Sequence, residues 1–226
     1  MSLWLKLYCQ LLLLFFAGTA WVGAQPIDIN EGSQTFKPIL PCPMATADDT
    51  DHHPVYFFQH KFPDGSQDLA IAKSLAGEVS DIKRVTFGGD NSAECHYKYL
   101  AIARGGDWGW HLLWLAGGST TLRYARMDGE AWVTSPTKKL TLQSRPTNQP
   151  IILTFGQQVR VVWIEAALNT SSVYAVYSGD EGRSWQDVKM ITQTGSALSN
   201  LQLVEKESKP YLVGQGLAEP LPLASW

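Results

Sequence analysis

The chain repeats itself at intervals of about fifty residues, and this period restricts its fold more than any other feature. Three segments share one form: Tyr99–Trp114 (YLAIARGGDWGWHLLW), Ile151–Trp163 (IILTFGQQVRVVW) and Leu201–Gly214 (LQLVEKESKPYLVG). Each is an apolar strand, a short polar turn and a second apolar strand. Trp114 and Trp163 lie 49 residues apart, and Trp163 and Gly214 lie 51 apart. Upstream, Val55–Phe58 fills the second-strand slot, with Phe58 preceding Trp114 by 56 residues. A second half-unit follows the first. Leu122–Trp132 (LRYARMDGEAW) and Val173–Trp185 (VYAVYSGDEGRSW) each pair a Tyr-Ala strand with a glycine-containing turn that ends in Trp, and Leu69–Val79 is a weaker copy.

One full unit is therefore four short strands. A lone four-stranded meander cannot bury both of its faces, whereas radial stacking buries each face against a neighbour and leaves only short edges. The sequence predicts an all-β protein, a β-propeller of about four four-stranded blades. The blades are expected at about 35–90, 97–142, 150–192 and 198–226 of a domain covering 25–226. The regular Trp, Tyr and Val positions are then inter-blade core. The last unit shows two strands and no closing hairpin. A closed ring completed by Ile27–Leu40, a partial propeller, and a subunit completed by another chain all stay open. The last two would self-associate through free strand edges.

Met1–Ala24 has one charge, Lys6, then a continuous apolar run at Leu11–Ala17 and small residues at Val22-Gly23-Ala24. That order reads as a secretory signal peptide, so the protein is expected to be secreted or periplasmic. The alternative is an uncleaved N-terminal membrane anchor; no second apolar stretch reaches spanning length. Cleavage removes Cys9 and leaves Cys42 and Cys95, which an oxidising compartment would join, although two buried thiols would also fit. The sequence pI near 5.9 argues against a nucleic-acid partner.

The most specific local motif is Ser178-Gly-Asp180-Glu-Gly182-Arg-Ser-Trp185, of the form S-x-D-x-G-x-x-W. Its residue types suit a tight turn. Gly182 accepts positive φ, and the Ser178 hydroxyl and Asp180 carboxylate can bond turn N–H groups. The motif resembles the Asp-box, or BNR repeat, of the sialidase-like β-propellers, and Met127–Trp132 resembles a shortened copy. The resemblance spans roughly residues 55–214. It implies a structural turn on the face opposite the functional loops, in a family that contains both hydrolases and non-enzymatic members.

A sialidase needs three arginines for a carboxylate, an acid/base Asp, and a Tyr nucleophile activated by Glu. The early Phe/Tyr-Arg-Ile-Pro motif of that family is absent; the sole Arg-Pro pair is Arg145-Pro146. Arg123 and Arg126 are assigned to an outer strand. Glu165, two residues after Trp163 at a strand end, and Arg145 are the weak catalytic candidates. Glu165, Trp108 and Trp110 are the ligand-binding candidates, the two indoles as sugar-stacking platforms. Either indole could instead pack inward, and Glu165 could be a solvated loop acid. Asp48–His53 gathers acids and imidazoles without recognisable metal-ligand spacing, so no metal and no cofactor is expected. Asn169-Thr-Ser171 is a glycosylation sequon. These residues support an exported, non-enzymatic propeller that binds a glycan or protein ligand through its loop face. The alternative is a glycoside hydrolase of sialidase type, or a fragment of one.

Overall fold

The computed structural model describes residues 42–75, 78–87, 95–106, 109–117, 119–140, 150–167, 170–195, 197–206 and 209–223. The chain divides into Met1–Ser33 and Gln34–Trp226, and every described residue belongs to the second unit. The expected signal peptide and the Ile27–Leu40 segment lie outside the described residues, as do Trp108, Arg145 and Asn169.

Among the described residues, fifteen strands form four small antiparallel sheets, each built from strands consecutive in the chain. The first contains β1 (Met44–Asp48), β2 (Pro54–Lys61), β3 (Gln67–Leu75) and β4 (Glu78–Arg84). The second contains β5 (Tyr97–Arg104), β6 (Gly109–Ala116), β7 (Leu122–Asp128) and β8 (Lys138–Leu140). The third contains β9 (Ile151–Phe155), β10 (Gln158–Ala167), β11 (Thr170–Ser178) and β12 (Lys189–Thr194). The fourth contains β13 (Ser199–Lys206), β14 (Lys209–Gln215) and β15 (Leu221–Pro222). The sequence showed two strands in this last unit. The third is a two-residue pairing, Leu221 with Leu212 and Pro222 with Tyr211, too short to carry a readable period.

The first strand of each sheet is innermost. Met44 to Thr46, Ala101 and Ile102, Ile151 and Ile152, and Leu201 line one central cavity of about 470 Å³. Four sheets around one axis make a four-bladed β-propeller. Two innermost strands share a local distortion. Tyr99 in β5 and Asn200 in β13 have φ of 54° and 50°, each where the pairing register shifts. A bulge there bends the strand at the crowded centre.

Strand alternation sends neighbouring residues of one blade into two different cores. Leu112 and Trp114 of β6 pack with Phe57, Leu69 and Ile71 of the first blade. Leu113 and Leu115 pack instead with Val161 and Trp163 of the third. Ile164 and Val173 of the third blade meet Leu212 and Leu223 of the fourth. Trp114 and Trp163 are 1% and 0% exposed. Burying each such apolar side chain contributes roughly 1.5–3 kcal/mol.

Because each blade is a meander, its connections alternate between two ends. The turns after first and third strands share one end, here the turn face. The connections after second strands and between blades share the other, the loop face.

Cys42, just before β1, is disulfide-bonded to Cys95, just before β5, with Cα atoms 5.2 Å apart. The bond joins the starts of two adjacent innermost strands and fits an extracellular or periplasmic environment. Among the described residues no helix is long and apolar enough to cross a membrane. Closing a loop of 53 residues should stabilise the fold by about 4 kcal/mol through the unfolded chain. The Cys42→Ala/Cys95→Ala variant should lose about that much in urea denaturation; an unchanged midpoint would show that the second blade is held by packing alone.

Candidate functional site

On the turn face, the Ser178–Trp185 turn is closed by its own side chains. Ser178 Oγ accepts the Gly182 N–H at 2.8 Å and donates to Asp180 Oδ1 at 2.8 Å. Asp180 also accepts the Ser184 N–H at 2.8 Å and the Ser184 hydroxyl at 2.6 Å. Burial pushes the Asp180 carboxyl up, but these bonds from Ser184 and Ser178 outweigh it and hold the pKa at about 2. Glu181 N–H donates to the Gln157 carbonyl at 2.7 Å, tying the turn to the adjacent β9–β10 hairpin. Gly182 has φ +75°, and a Cβ there would overlap the Tyr124 hydroxyl of the second blade. Trp185 meets the Tyr124 ring edge-on, centroids 4.8 Å apart.

Tyr124 is thus the socket for this turn, and behind it stands His111, fully buried, with Nδ1 2.6 Å from the Tyr124 hydroxyl. That hydroxyl also lies 3.4 Å from the Glu181 carbonyl. Both contacts are satisfied when His111 Nδ1–H donates to Tyr124 and Tyr124 donates onward to Glu181. Burial, with Arg126 adding to it, pushes the imidazole down to about 4. The Tyr124 hydroxyl is raised above its ordinary value, chiefly by burial, so it stays protonated. The Ser178–Trp185 turn is a packing device between blades two and three.

The loop face differs. A cavity of about 550 Å³ lies where the first blade hands over to the second. Thr86 and Phe87, leaving β4, form one wall, and His96, Tyr97, Trp114 and Arg123 form the other. Beneath it runs a buried relay. Thr86 Oγ1 donates to Asp68 Oδ1 at 3.1 Å, accepts the Leu69 N–H at 2.9 Å, and lies 3.1 Å from the Tyr97 hydroxyl. Asp68 is fully buried, with Arg84 Nη1 3.7 Å from its other oxygen. Gln59 Oε1 accepts the His96 and Tyr97 N–H groups at 3.0 and 3.3 Å, fixing the floor. Burial raises the Tyr97 hydroxyl; the Thr86 hydrogen bond and Arg123 oppose it while Asp68 adds to it, so Tyr97 stays protonated. Since the Thr86 hydroxyl donates to Asp68, Tyr97 donates to Thr86.

Arg123 is the residue that sequence reasoning undervalued. It sits on β7, opposite Trp114 on β6, and alternates with the buried Ala125 and Met127. That alternation in Leu122–Met127 is the signal that places it on the inward face toward the first blade. Among the described residues no carboxylate pairs with Arg123, and its buried Nε has no hydrogen-bond partner.

The other candidates fall elsewhere. Glu165 is neither in a loop nor on the central cavity. It lies inside β10, the second strand from the axis, is 7% exposed, and accepts the Trp163 indole N–H at 2.9 Å. The apolar run Val161–Ile164 extends the strand past it, so the expected strand end comes two residues late. Trp110 is 4% exposed and packs in the core between blades one and two, not on an open stacking surface. Its β6 neighbours Leu112 and Trp114 point the same way, and strand alternation carries Trp110 inward with them. Asp49, Asp51 and His53 do come together, within 4.8 Å. Asp49 is already engaged, 2.5 Å from Lys73 Nζ and accepting the Asp51 and His53 N–H groups. The described arginines are spread over three blades, and none lines the central cavity.

No family model matches the chain, and no curated protein matches it. Among solved structures, it is similar to an α-L-arabinofuranosidase (CtGH43) from Clostridium thermocellum, with 9% identity and a TM-score of 0.42 over 75% of this chain. It is also similar to a GH32 β-fructofuranosidase from Bombyx mori in complex with sucrose, with 14% identity and a TM-score of 0.40 over 75% of this chain. The chain spans 59% and 41% of those two proteins. Likeness at this level carries no argument about activity; the propeller assignment rests on the four sheets and their shared cavity.

Two outcomes follow from the turn face. Gly182→Ala forces a left-handed alanine into Tyr124 and should cost about 2–4 kcal/mol in urea denaturation; a loss under 1 kcal/mol would mean the turn is not seated as described. His111 has a folded pKa below its unfolded value near 6.5, so its share of stability is complete above that pH. That share is lost as pH falls towards about 4, by about 3 kcal/mol. Urea midpoints of wild type and His111→Asn, measured from pH 7 to pH 4, should converge by that amount; parallel curves would remove His111 as the cause.

Proposed function

We propose that this protein is an exported, sialidase-like β-propeller that binds a glycan or protein ligand through its loop face and performs no hydrolysis. One observation carries the reading. Among the described residues, the central cavity is lined by small, apolar and hydroxyl side chains with no titratable group, while two polar cavities, of about 550 and 580 Å³, lie off the axis at the two ends of the junction of blades one and two. Nucleophilic catalysis needs an activated side chain. Burial and Asp68 push the Tyr97 hydroxyl the opposite way, and its hydrogen bond leads to a threonine rather than to a general base.

The geometry of the Ser178–Trp185 turn supports the Asp-box reading. Its Ser, Asp, Gly and Trp each do what the resemblance implies, and the turn lies at the end opposite the loop-face cavity. Export is supported by the apolar character of Met1–Ala24 together with the disulfide. A carbohydrate or protein partner suits a rigid scaffold that displays loops at one end.

The alternative, a sialidase-type hydrolase, has Glu165 as its candidate residue and is tested directly. Purified mature protein with a fluorogenic sialoside should give no turnover above the buffer rate between pH 4.5 and 7.5. Glu165→Gln should leave that baseline unchanged. Turnover by the wild type that is lost in Glu165→Gln would overturn the non-enzymatic reading.

A further inference from the structure

We propose that the turn-face cavity between the first and second blades binds a short peptide by its two free termini. Arg104 takes the carboxylate, and Glu130 with Asp128 takes the ammonium. The site lies at the opposite end of the propeller from the loop face and is independent of the ligand read there.

The cavity has a local cause. At the junction of blades two and three, the eight-residue turn Ser178–Trp185 seats on Tyr124. At the junction of blades one and two, the corresponding turn after β7, Met127–Trp132, is two residues shorter. Asp128 does part of the work of Asp180, accepting the Glu130 and Ala131 N–H groups at 2.9 and 2.6 Å, and Trp132 packs against the core beneath. Above them remains a cavity of about 580 Å³, within the usual range of ligand pockets. A Cβ at Gly109 would overlap the Gly129 nitrogen, so the β5–β6 and β7–β8 turns meet at the cavity wall without side chains.

The charged groups of this cavity divide into a closed set and an open one. On the blade-one side, Lys73 Nζ lies 2.5 Å from Asp49, which also accepts the Asp51 and His53 N–H groups. That pair is satisfied. On the blade-two side, Arg104 and Glu130 are exposed, and neither they nor Asp128 form an ion pair among the described residues. Arg104 ends β5 and Asp128 ends β7, with β6 between them. Two strand spacings hold their backbones about 10 Å apart. Arg104 stands opposite Trp110, and Trp110 opposite Met127, so strand alternation turns Arg104 to the blade-one side with both.

One cavity thus presents a cation and two anions that do not neutralise one another. A ligand that satisfies both signs at once is dipolar, with its charges several ångströms apart. A short peptide with free termini has that form. At about 3.3–3.6 Å per residue, a di- or tripeptide sets its two charges about 7–10 Å apart. A guanidinium fork binds the carboxylate bidentately, and capture of chain termini is a recurrent mode of peptide recognition. Blocking either terminus removes one charge and leaves its protein partner unpaired, which is where discrimination comes from.

The test is calorimetric titration of the mature protein with trialanine, N-acetyl-trialanine and trialanine amide. Free trialanine should bind at least tenfold more tightly than either blocked form. Arg104→Gln should weaken free trialanine at least tenfold and erase the penalty for the amide, while keeping the penalty for the acetylated form. Glu130→Gln should do the reverse, shrinking the acetylation penalty at least threefold and keeping that for the amide. Both side chains are exposed, so the urea midpoint should stay unchanged in each variant. The blocked probes test the wild type alone, so the result stands whether or not a variant folds. No binding of trialanine, equal binding of all three probes, or a penalty confined to one blocked form overturns the proposal. The probes carry no sugar, so either result leaves the loop-face reading to its own assay.

Discussion

Each blade has two apolar faces and no means of covering either one alone. This constraint governs the rest of the molecule. Leu112 and Leu113 are adjacent in sequence and both fully buried, yet they belong to different cores, one toward the first blade and one toward the third. Stability therefore resides between sheets rather than within them. Anything that sets the angle or depth at which two blades meet acts on all the large side chains at that junction together. Two of the blade junctions carry distinct fixing devices. Blades one and two are tied by the Cys42–Cys95 bond and the Gln59 carboxamide, and blades two and three by the Ser178–Trp185 turn lodged on Tyr124.

The repeat made the fold legible because a propeller's period is also its energetic unit. Trp114 and Trp163 recur 49 residues apart since each is the large buried residue of a second strand. The composition of the Ser178 turn was readable for a similar reason. Gly182 needs positive φ, Asp180 needs N–H donors within its own turn, and both requirements are local. What the sequence did not disclose is non-local. Nothing near Tyr124 shows that Gly182 lies against its hydroxyl, 58 residues downstream, or that His111 stands behind it. Those contacts arise only when two blades pack.

The same division separates the candidate residues. Glu165 was singled out because it follows a Trp at a strand end, but β10 continues through it and turns the carboxylate onto the Trp163 indole. Trp110 was singled out from a glycine-rich turn, where aromatics are often displayed. The strand begins one residue before it and draws it inward. Arg123 carried no motif and was placed on an outer strand. β7 is indeed the third strand from the axis, but its alternation directs Arg123 to the junction with blade one rather than to solvent. Sequence position along the blade was readable; which neighbour each face meets was not.

The two ends of the propeller divide their work on physical grounds. At the turn face, polar groups are consumed internally: Ser178, Asp180, Ser184, Glu181 and Tyr124 satisfy one another across a junction that closes tightly. At the junction of blades one and two the same face keeps a cavity of about 580 Å³, lined among others by Lys73, Arg104, Asp128 and Glu130. At the loop face the first two blades enclose a cavity in which the relay from Tyr97 through Thr86 ends on the buried Asp68, and the buried Arg123 Nε has no hydrogen-bond partner. Buried polar groups are tolerated when satisfied and informative when they are not. By that criterion the Ser178–Trp185 turn, whose polar groups are satisfied, fixes a blade junction at one end, while the cavity at the other end keeps an unsatisfied guanidinium nitrogen.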